Sequence, residues 1–384
     1  MPGHFQRIIH TLLSGPDRLI PRTQLWARPL RIHIAINDVC NIRCPHCLRY
    51  GPSVQVNRGG LALGDLRRLA PWFRSAHVVA LAGLGEPFLQ KDLFDIVKFI
   101  ELHGPTISII TNATLLDEAA AQRLVGTRFL ILNLSIDAGT REVFEKVRLG
   151  AKFDEVMANV DRLVEMKRRL NAVFPVLSIN MTLMKDTLGE VEAVVDFARR
   201  WQAPVITAQT VMFTPDSPNR SQAVTNREAQ AALSRAEAYA RAAGVEIRYV
   251  PLSSDFETLA RDEAQGDLYA PTYATHKHSK ITGGSNRFFC PNIWTQMWVD
   301  TTGEMMYCCM ANQEFQDKYG PIGRIQDADP ATLWNHPKML SLRRSHVEGR
   351  PHEECRKCYV LEQHGRGKAW ATWRADLAAL KRMR

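Results

Sequence analysis

The chain has 384 residues, 45% of them hydrophobic and 23% charged, with a formal net charge of +9. These proportions are those of a soluble globular protein with one large domain and an appendage, or with two domains. No run approaches the roughly eighteen apolar residues of a membrane span, and the basic residues are spread along the chain without forming a nucleic-acid-binding stripe.

The first residues carry no compact apolar signal-peptide core, so a cytoplasmic protein is expected. Phe5, Ile8, Ile9, Leu12 and Leu13 recur at helical spacing and predict a short amphipathic helix. Its apolar face is expected to pack against the domain, with membrane contact a distant second. Eight cysteines in such a chain argue for metal ligation in a reducing compartment over a disulfide framework. They form an early group, Cys40, Cys44 and Cys47, and a late one, Cys290, Cys308, Cys309, Cys355 and Cys358.

The alternating run Arg31–Ile36 predicts a strand, and the early cysteines follow it with C-x3-C-x2-C spacing. They therefore sit on a loop leaving a strand's C-terminal end, where α/β barrels keep their chemistry. Structural zinc takes four protein ligands, whereas a [4Fe–4S] cluster held by three cysteines keeps one iron open. A zinc knuckle with His46 as fourth ligand is the competing reading. Further strands are predicted at His77–Ala82, Thr106–Ile110, Phe129–Ile136, Val176–Leu183 and Val205–Phe213. Helices are predicted near Lys91–His103, Asp117–Val125, Phe153–Leu170 and Gly189–Trp201. Six βα units in succession imply a parallel sheet with helices outside.

The C-x3-C-x2-C motif resembles the signature of the radical S-adenosylmethionine (SAM) enzymes. The resemblance spans about residues 29–215 and implies an α/β fold, a partial (β/α)6 TIM-like barrel. It also implies a [4Fe–4S] cluster on Cys40, Cys44 and Cys47, whose open iron chelates SAM. An electron from the cluster then cleaves SAM to methionine and a 5′-deoxyadenosyl radical that abstracts a substrate hydrogen. Gly83-Leu84-Gly85-Glu86-Pro87 resembles the family's segment for the SAM amino group, with Leu84 where the first glycine usually stands. Glycines allow close backbone approach, and a carboxylate can accept from an ammonium. Asn112, in Thr111-Asn112-Ala113, and Ser135 and Asp137, at the end of the fourth strand, resemble the segments lining the SAM pocket. Capping of the helix that starts at Thr140 is an alternative for Asp137. Arg148 is a candidate partner of the SAM carboxylate or a surface arginine. Asn180 and Gln209 are candidates for the ribose and adenine.

After 215 an alanine-rich helix is predicted at Arg227–Ala243, then a polar stretch over 251–287. That stretch carries His276 and His278, candidate metal ligands or bases, or plain loop histidines. Ile293–Val299 and Glu304–Met310 flank Asp300–Gly303 and predict a hairpin, followed by helices at Ala331–Arg344 and Ala369–Met383. Cys290, Cys308, Cys355 and Cys358 resemble the C-terminal SPASM and twitch modules. The four-cysteine arrangement looks like the shorter twitch type, which implies a second, auxiliary [4Fe–4S] cluster; structural zinc is the alternative. The organisation expected is 1–28 helical extension, 29–215 radical SAM core, 216–287 connector and 288–384 auxiliary-cluster domain. The function expected is a radical SAM oxidoreductase that passes a substrate electron to the auxiliary cluster. Its substrate would be a small polyol, cyclitol or amino-sugar, or alternatively a peptide, with a flavodoxin or ferredoxin as low-potential donor. A ribosomal-peptide maturase making crosslinks or epimerising, with Cys309 as hydrogen donor, is a further possibility. So is a non-catalytic iron–sulfur or zinc protein. Neither a nucleic acid nor a membrane is expected as partner.

Overall fold

A computed structural model of the chain describes residues 3–19, 22–51, 56, 59–211, 220–250, 290–308 and 313–356. The strands are β1 (Arg31–Ile34), β2 (Val78–Leu81), β3 (Thr106–Thr111), β4 (Leu130–Ser135), β5 (Val176–Leu183), β6 (Val205–Thr210), β7 (Glu246–Val250), β8 (Gln296–Val299) and β9 (Met305–Met306). They form one sheet in the order β7-β6-β5-β4-β3-β2-β1-β8-β9. All neighbours are parallel except β8 and β9.

β1 to β6 fall within a few residues of the predicted strands. Alternation makes them legible: Ile32, Ile34, Val79, Leu81, Ile107, Ile109, Leu132 and Leu134 are buried under the helices. The intervening positions, such as Ser108, Asn133, Ser135, Ser178, Asn180 and Thr207, are half-buried and polar on the concave face. A parallel sheet covered on both faces would read as a continuous apolar run; the polar inner face restores a period of two. The helices Leu93–Glu101, Glu118–Val125, Phe153–Arg169 and Val191–Arg200 cover the outer face. Each fully buried Leu or Ile there contributes about 1.5–3 kcal/mol.

Two strands extend the sheet beyond the six units. β7 follows the capped helix Asn226–Ala242 and adds to β6, so the parallel sheet does not end at residue 215. Its sequence alternates charged and apolar residues, and as an edge strand it keeps Glu246 and Arg248 exposed. β8 comes from the late segment and pairs parallel with β1, register Arg31↔Gln296 through Ile34↔Val299. Asp300–Gly303 forms the expected turn, with Gly303 at φ +85°, but the second strand is only Met305–Met306. The helix expected at Ala331–Arg344 is two, Pro330–Trp334 and Pro337–Val347. Pro337 disfavours helical geometry at His336 and lacks an N–H, so it breaks the run. The polar stretch 251–287 with His276 and His278, Cys309, Cys358 and the helix expected at Ala369–Met383 lie outside the described residues.

The helix His4–Leu19 forms as predicted but faces the other way. Phe5 is 73% exposed, Leu12 50% and Ile9 36%, while Arg7, Thr11, Ser14 and Asp17 are buried. The physical reason is what lies beneath. The helix covers the loops entering β2 and β3, whose polar groups need partners. Arg7 Nη1 donates to the His103 carbonyl at 3.4 Å, and Thr11 Oγ1 lies 2.6 Å from His77 Nε2. Asp17 accepts from the Ala27 amide at 3.0 Å. The polar face is used inward; Phe5, Ile9 and Leu12 are left outside, while Ile8 and Leu13 are half-buried.

Candidate active site at the strand ends

The loop carrying Cys40, Cys44 and Cys47 leaves the C-terminal end of β1 and is laced to its neighbours. Asn37 Oδ1 accepts from the Val39 amide at 2.8 Å, and its Nδ2 donates to the Glu86 carbonyl at 2.9 Å. The Glu86 amide donates to the Val39 carbonyl at 2.7 Å. A Cβ on Gly85 would lie 2.1 Å from Asn37 Oδ1 and 2.7 Å from the Val39 carbonyl, so this contact requires glycine. On the other side the Arg43 amide donates to the Leu149 carbonyl at 2.7 Å.

Glu86 is buried. Its Oε1 accepts from Thr111 Oγ1 at 2.7 Å and the Phe88 amide at 3.2 Å, and its Oε2 from the Asn112 amide at 2.8 Å. Burial pushes its carboxyl up, against the pull of those bonds and of Arg148. The carboxylate thus spends most of its accepting capacity tying the β2 and β3 loops together. Pro87 starts the short turn Pro87–Leu89, which Glu86 caps. Gly83 is exposed on the same loop. Asn112 Nδ2 donates to Asn41 Oδ1 at 3.0 Å and lies 3.9 Å from Cys40 Sγ. Ala113 stands at φ +62°, a left-handed conformation better suited to glycine.

Asp137 is fully buried just past β4. Its Oδ1 accepts from the Thr182 amide at 2.7 Å, and its Oδ2 is ion-paired with Arg148 Nη2 at 2.7 Å and lies 3.6 Å from His46 Nε2. Glu190 accepts from the Gly139 and Thr140 amides, both at 2.9 Å, just before the helix that follows Thr140, while Asp137 is taken up by Thr182 and Arg148 and not by the start of that helix. Nor is Arg148 on the surface. Burial works against its charge, but Asp137 and the nearby Cys44 and Cys47 more than compensate, and its pKa is raised. His46 turns its Nε2 to Asp137, and burial lowers its pKa more than Asp137 raises it. Its Nδ1 is buried and has no hydrogen-bond partner among the described residues.

The three cysteines are free thiols. Burial pushes Cys44 up to about 12, although Arg148 opposes it, and raises Cys47 as well. Thiols so placed ionise when a metal cation supplies the compensating charge. Among the described residues no group of three His, Cys, Asp or Glu converges on a single-ion site. Three thiols with no fourth protein donor fit an iron–sulfur cluster better than a tetrahedral ion. On the inner face, Ser135 pairs in register with Asn180, Asn180 with Thr207 and Thr207 with Arg248; Gln209 pairs with Thr182 one step further along. Ser135, Asn180 and Gln209 therefore share the concave face. A cavity of about 650 Å³ between the helix Asn226–Ala242 and β7 lies at the far edge of the sheet.

Of the late cysteines, Cys290, Cys308 and Cys355 lie among the described residues. Cys290 and Cys308 flank β8 and β9, and Thr301 Oγ1, in the turn between those strands, donates to Asp38 Oδ2 at 2.7 Å, two residues from Cys40. Tyr307, next to Cys308, donates to the Gly320 carbonyl at 2.8 Å. Tyr319 donates to Glu354 at 2.9 Å, next to Cys355. The helix Gln313–Tyr319 thus connects the neighbourhoods of Cys308 and Cys355.

A family model described as the Radical SAM superfamily matches residues 34–198, and one described as an iron–sulfur cluster-binding domain, SPASM, matches 290–359. Together they cover more than half of the chain. The chain belongs to the radical SAM superfamily. It is a radical SAM enzyme with a C-terminal SPASM domain, whose cofactors are SAM, a [4Fe–4S] cluster and auxiliary iron–sulfur centres. Among solved structures it is similar to Streptococcus suis SuiB bound to S-adenosylmethionine, at 15% identity and a TM-score of 0.64 over 91% of this chain and 75% of that one. SuiB bound to its precursor peptide SuiA matches at 15% identity, with a TM-score of 0.62 over 91% and 74%. anSMEcpe with bound AdoMet matches at 19% and 0.55, over 92% and 98%. At these identities the likeness concerns the fold. No helix of the described residues is long and apolar enough to cross a membrane.

Asn37 and Asn41, which help hold the rim together, are not among the expected site residues. Asn37 and Asn41 bracket the start of the cysteine motif, a setting where Asx turns form, and that was the available signal.

Proposed function

We propose that Cys40, Cys44 and Cys47 ligate the SAM-binding [4Fe–4S] cluster, and that the enzyme oxidises a small hydroxylated substrate such as a polyol, cyclitol or amino-sugar. The carrying observation is the single hydrogen-bonded network of Asn37, Glu86, Thr111 and Asn112, which joins the cysteine loop to the glycine loop and the β3 end. When bound, the cluster and SAM supply a 5′-deoxyadenosyl radical that takes a hydrogen atom from the substrate. In this reading Gly83, Gly85 and Pro87 shape the backbone that meets the SAM amino group, and Glu86 is a positioning residue. Asn112 lies against the sulfur of Cys40 and orients its thiolate. Ser135, Asn180 and Gln209 offer neutral hydrogen-bonding groups on the concave face, suited to ribose, adenine and substrate hydroxyls. Asp137 and Arg148 form one buried charge pair behind Cys44, and Arg148 offers the positive field that thiolate ligands need.

Cys290, Cys308, Cys355 and Cys358 would hold one auxiliary [4Fe–4S] cluster, which would supply an acceptor for the substrate's electron. The bond from Thr301 to Asp38 and the pairing of β8 with β1 support this by fixing the late segment beside the cysteine loop. A flavodoxin or ferredoxin in a cytoplasmic setting would supply the first electron. In this organisation residues 1–28 carry an N-terminal helix, 29–215 the radical SAM core, 216–287 a connector that adds β7 to the sheet, and 288–384 the auxiliary-cluster domain.

A peptide substrate is the second reading, favoured by the fold shared with SuiB, whose structure holds the precursor peptide SuiA. Anaerobic reconstitution should give about eight irons per chain with matching sulfide; zinc without sulfide would sink both readings. Reduced protein with SAM should release 5′-deoxyadenosine, and Cys44→Ala should abolish it. Deuterium recovered in 5′-deoxyadenosine from labelled cyclitols, and not from labelled peptides, selects the first reading; the reverse selects the second.

A further inference from the structure

Among the residues whose exposure is described, the outward face of the helix His4–Leu19 consists of Phe5, Ile9, Leu12 and Pro16. Phe5 and Leu12 are 73% and 50% exposed, and Leu102, in the loop that the helix covers, is 70% exposed. The adjoining His103 carbonyl receives Arg7 from the buried side of the helix, which fixes this loop beneath it. The orientation is not a default of poor packing. The buried side is engaged through Arg7, Thr11 and Asp17, so the helix is held with its apolar face presented.

The surroundings indicate what that face meets. Arg74 is exposed at one end of the helix, its carbonyl 2.6 Å from where a Gly3 Cβ would stand. At the other end the Arg22 guanidinium stacks 3.6 Å above Trp26, itself 60% exposed. The helix's single acid, Asp17, is buried, and Glu101 beside Leu102 accepts from the Arg128 amide. Exposed apolar side chains, a half-wet tryptophan and arginines without an exposed helix carboxylate make an interfacial membrane surface. A protein partner fits less well. One helix face of a few apolar side chains falls well short of the ~800 Å² per partner of a stable interface.

We propose that this helix docks the enzyme on an anionic phospholipid surface, with Phe5, Ile9 and Leu12 inserted at the headgroup boundary and Arg22 and Arg74 facing lipid phosphates. The absence of a spanning helix among the described residues concerns crossing the bilayer, which this contact does not require. Full-length protein is incubated with vesicles of phosphatidylglycerol and phosphatidylcholine, or of phosphatidylcholine alone, and sedimented. Partition should favour the anionic vesicles about tenfold and fall as salt is raised. Phe5→Ser/Leu12→Ser changes only exposed positions and should lower partition about tenfold with an unchanged circular dichroism spectrum; Phe5→Trp should keep it. Wild-type protein left in the supernatant overturns the proposal, as does equal partition of the double variant. It is also overturned if the double variant converts a wild-type dimer to monomer while no vesicle binding occurs, since the face then covers a second copy.

Discussion

Arg148, at the mouth of the sheet, and Arg343, at the seam between the chain's two ends, are both buried, yet they hold their charge on different terms. Arg148 has a carboxylate 2.7 Å away, and its pKa is raised despite full burial. Arg343 donates instead to neutral oxygens: the Ile293 carbonyl at 2.9 Å, and the Thr23 carbonyl and Asn335 Oδ1, both at 3.2 Å. Burial therefore brings it down to about 9, with Asp17 only partly offsetting. Carbonyl dipoles can place an arginine, but they compensate its charge less than an anion does. The arginine at the mouth is neutralised by its own carboxylate; the seam arginine is a three-way tie between segments distant in sequence.

Removing one partner should separate the two cases most clearly. Arg148→Met leaves Asp137 buried without its counter-ion and should cost about 3–5 kcal/mol in chemical denaturation. Asp137→Asn/Arg148→Met should recover a large part of that loss; a double variant as unstable as the single would mean the pair is not the cause. Gly85→Ala forces a Cβ into two carbonyl contacts and should cost about 2–3 kcal/mol, with weaker iron retention after reconstitution. Arg343→Met should cost about 2 kcal/mol, the loss being the unsatisfied carbonyls it leaves. A loss equal to that of Arg148→Met would break the distinction drawn between them.

The seam also contains His346, whose pKa burial lowers from 6.5 to about 4, with His352 adding to the effect. A lowered folded value means stability is present above pH 6.5 and is lost as pH falls towards 4. The contribution is on the order of 2–3 kcal/mol. His346→Leu should therefore flatten the decline in denaturation midpoint between pH 6.5 and 4. An unchanged profile would assign the acid sensitivity elsewhere, with His10 and His33 the next groups held near 4. The smallest effect belongs to Ala113→Gly, which relieves φ +62° but removes a buried methyl and should move stability by less than about 1 kcal/mol.

Much of the barrel was legible because its concave face is polar. In β4 and β5 the alternation of Leu132, Leu134, Ile179 and Met181 with Asn133, Ser135, Ser178 and Asn180 marks strands and faces together. The cysteine loop was legible for a different reason, since three thiols at fixed spacing after a strand have few structural uses. Arg148 was not legible. Whether it is on the surface or buried depends on Asp137, eleven residues away and beyond a helix, and no local pattern encodes that contact. The same holds for Glu86, whose type suggested a ligand contact but whose oxygens mostly serve Thr111, Phe88 and Asn112.

The sequence by itself determined the order of βα units, the cysteine spacing and the glycine loop, because helix and strand periods and loop chemistry are local properties. Only the tertiary structure decided that β8 closes onto β1, that Asp137 pairs with Arg148, and that the helix His4–Leu19 turns its polar face inward. Each of those depends on which unsatisfied edge, charge or carbonyl lies opposite, and that is set by the fold as a whole. An amphipathic pattern says that a helix has two faces. What lies beneath it decides which one is buried.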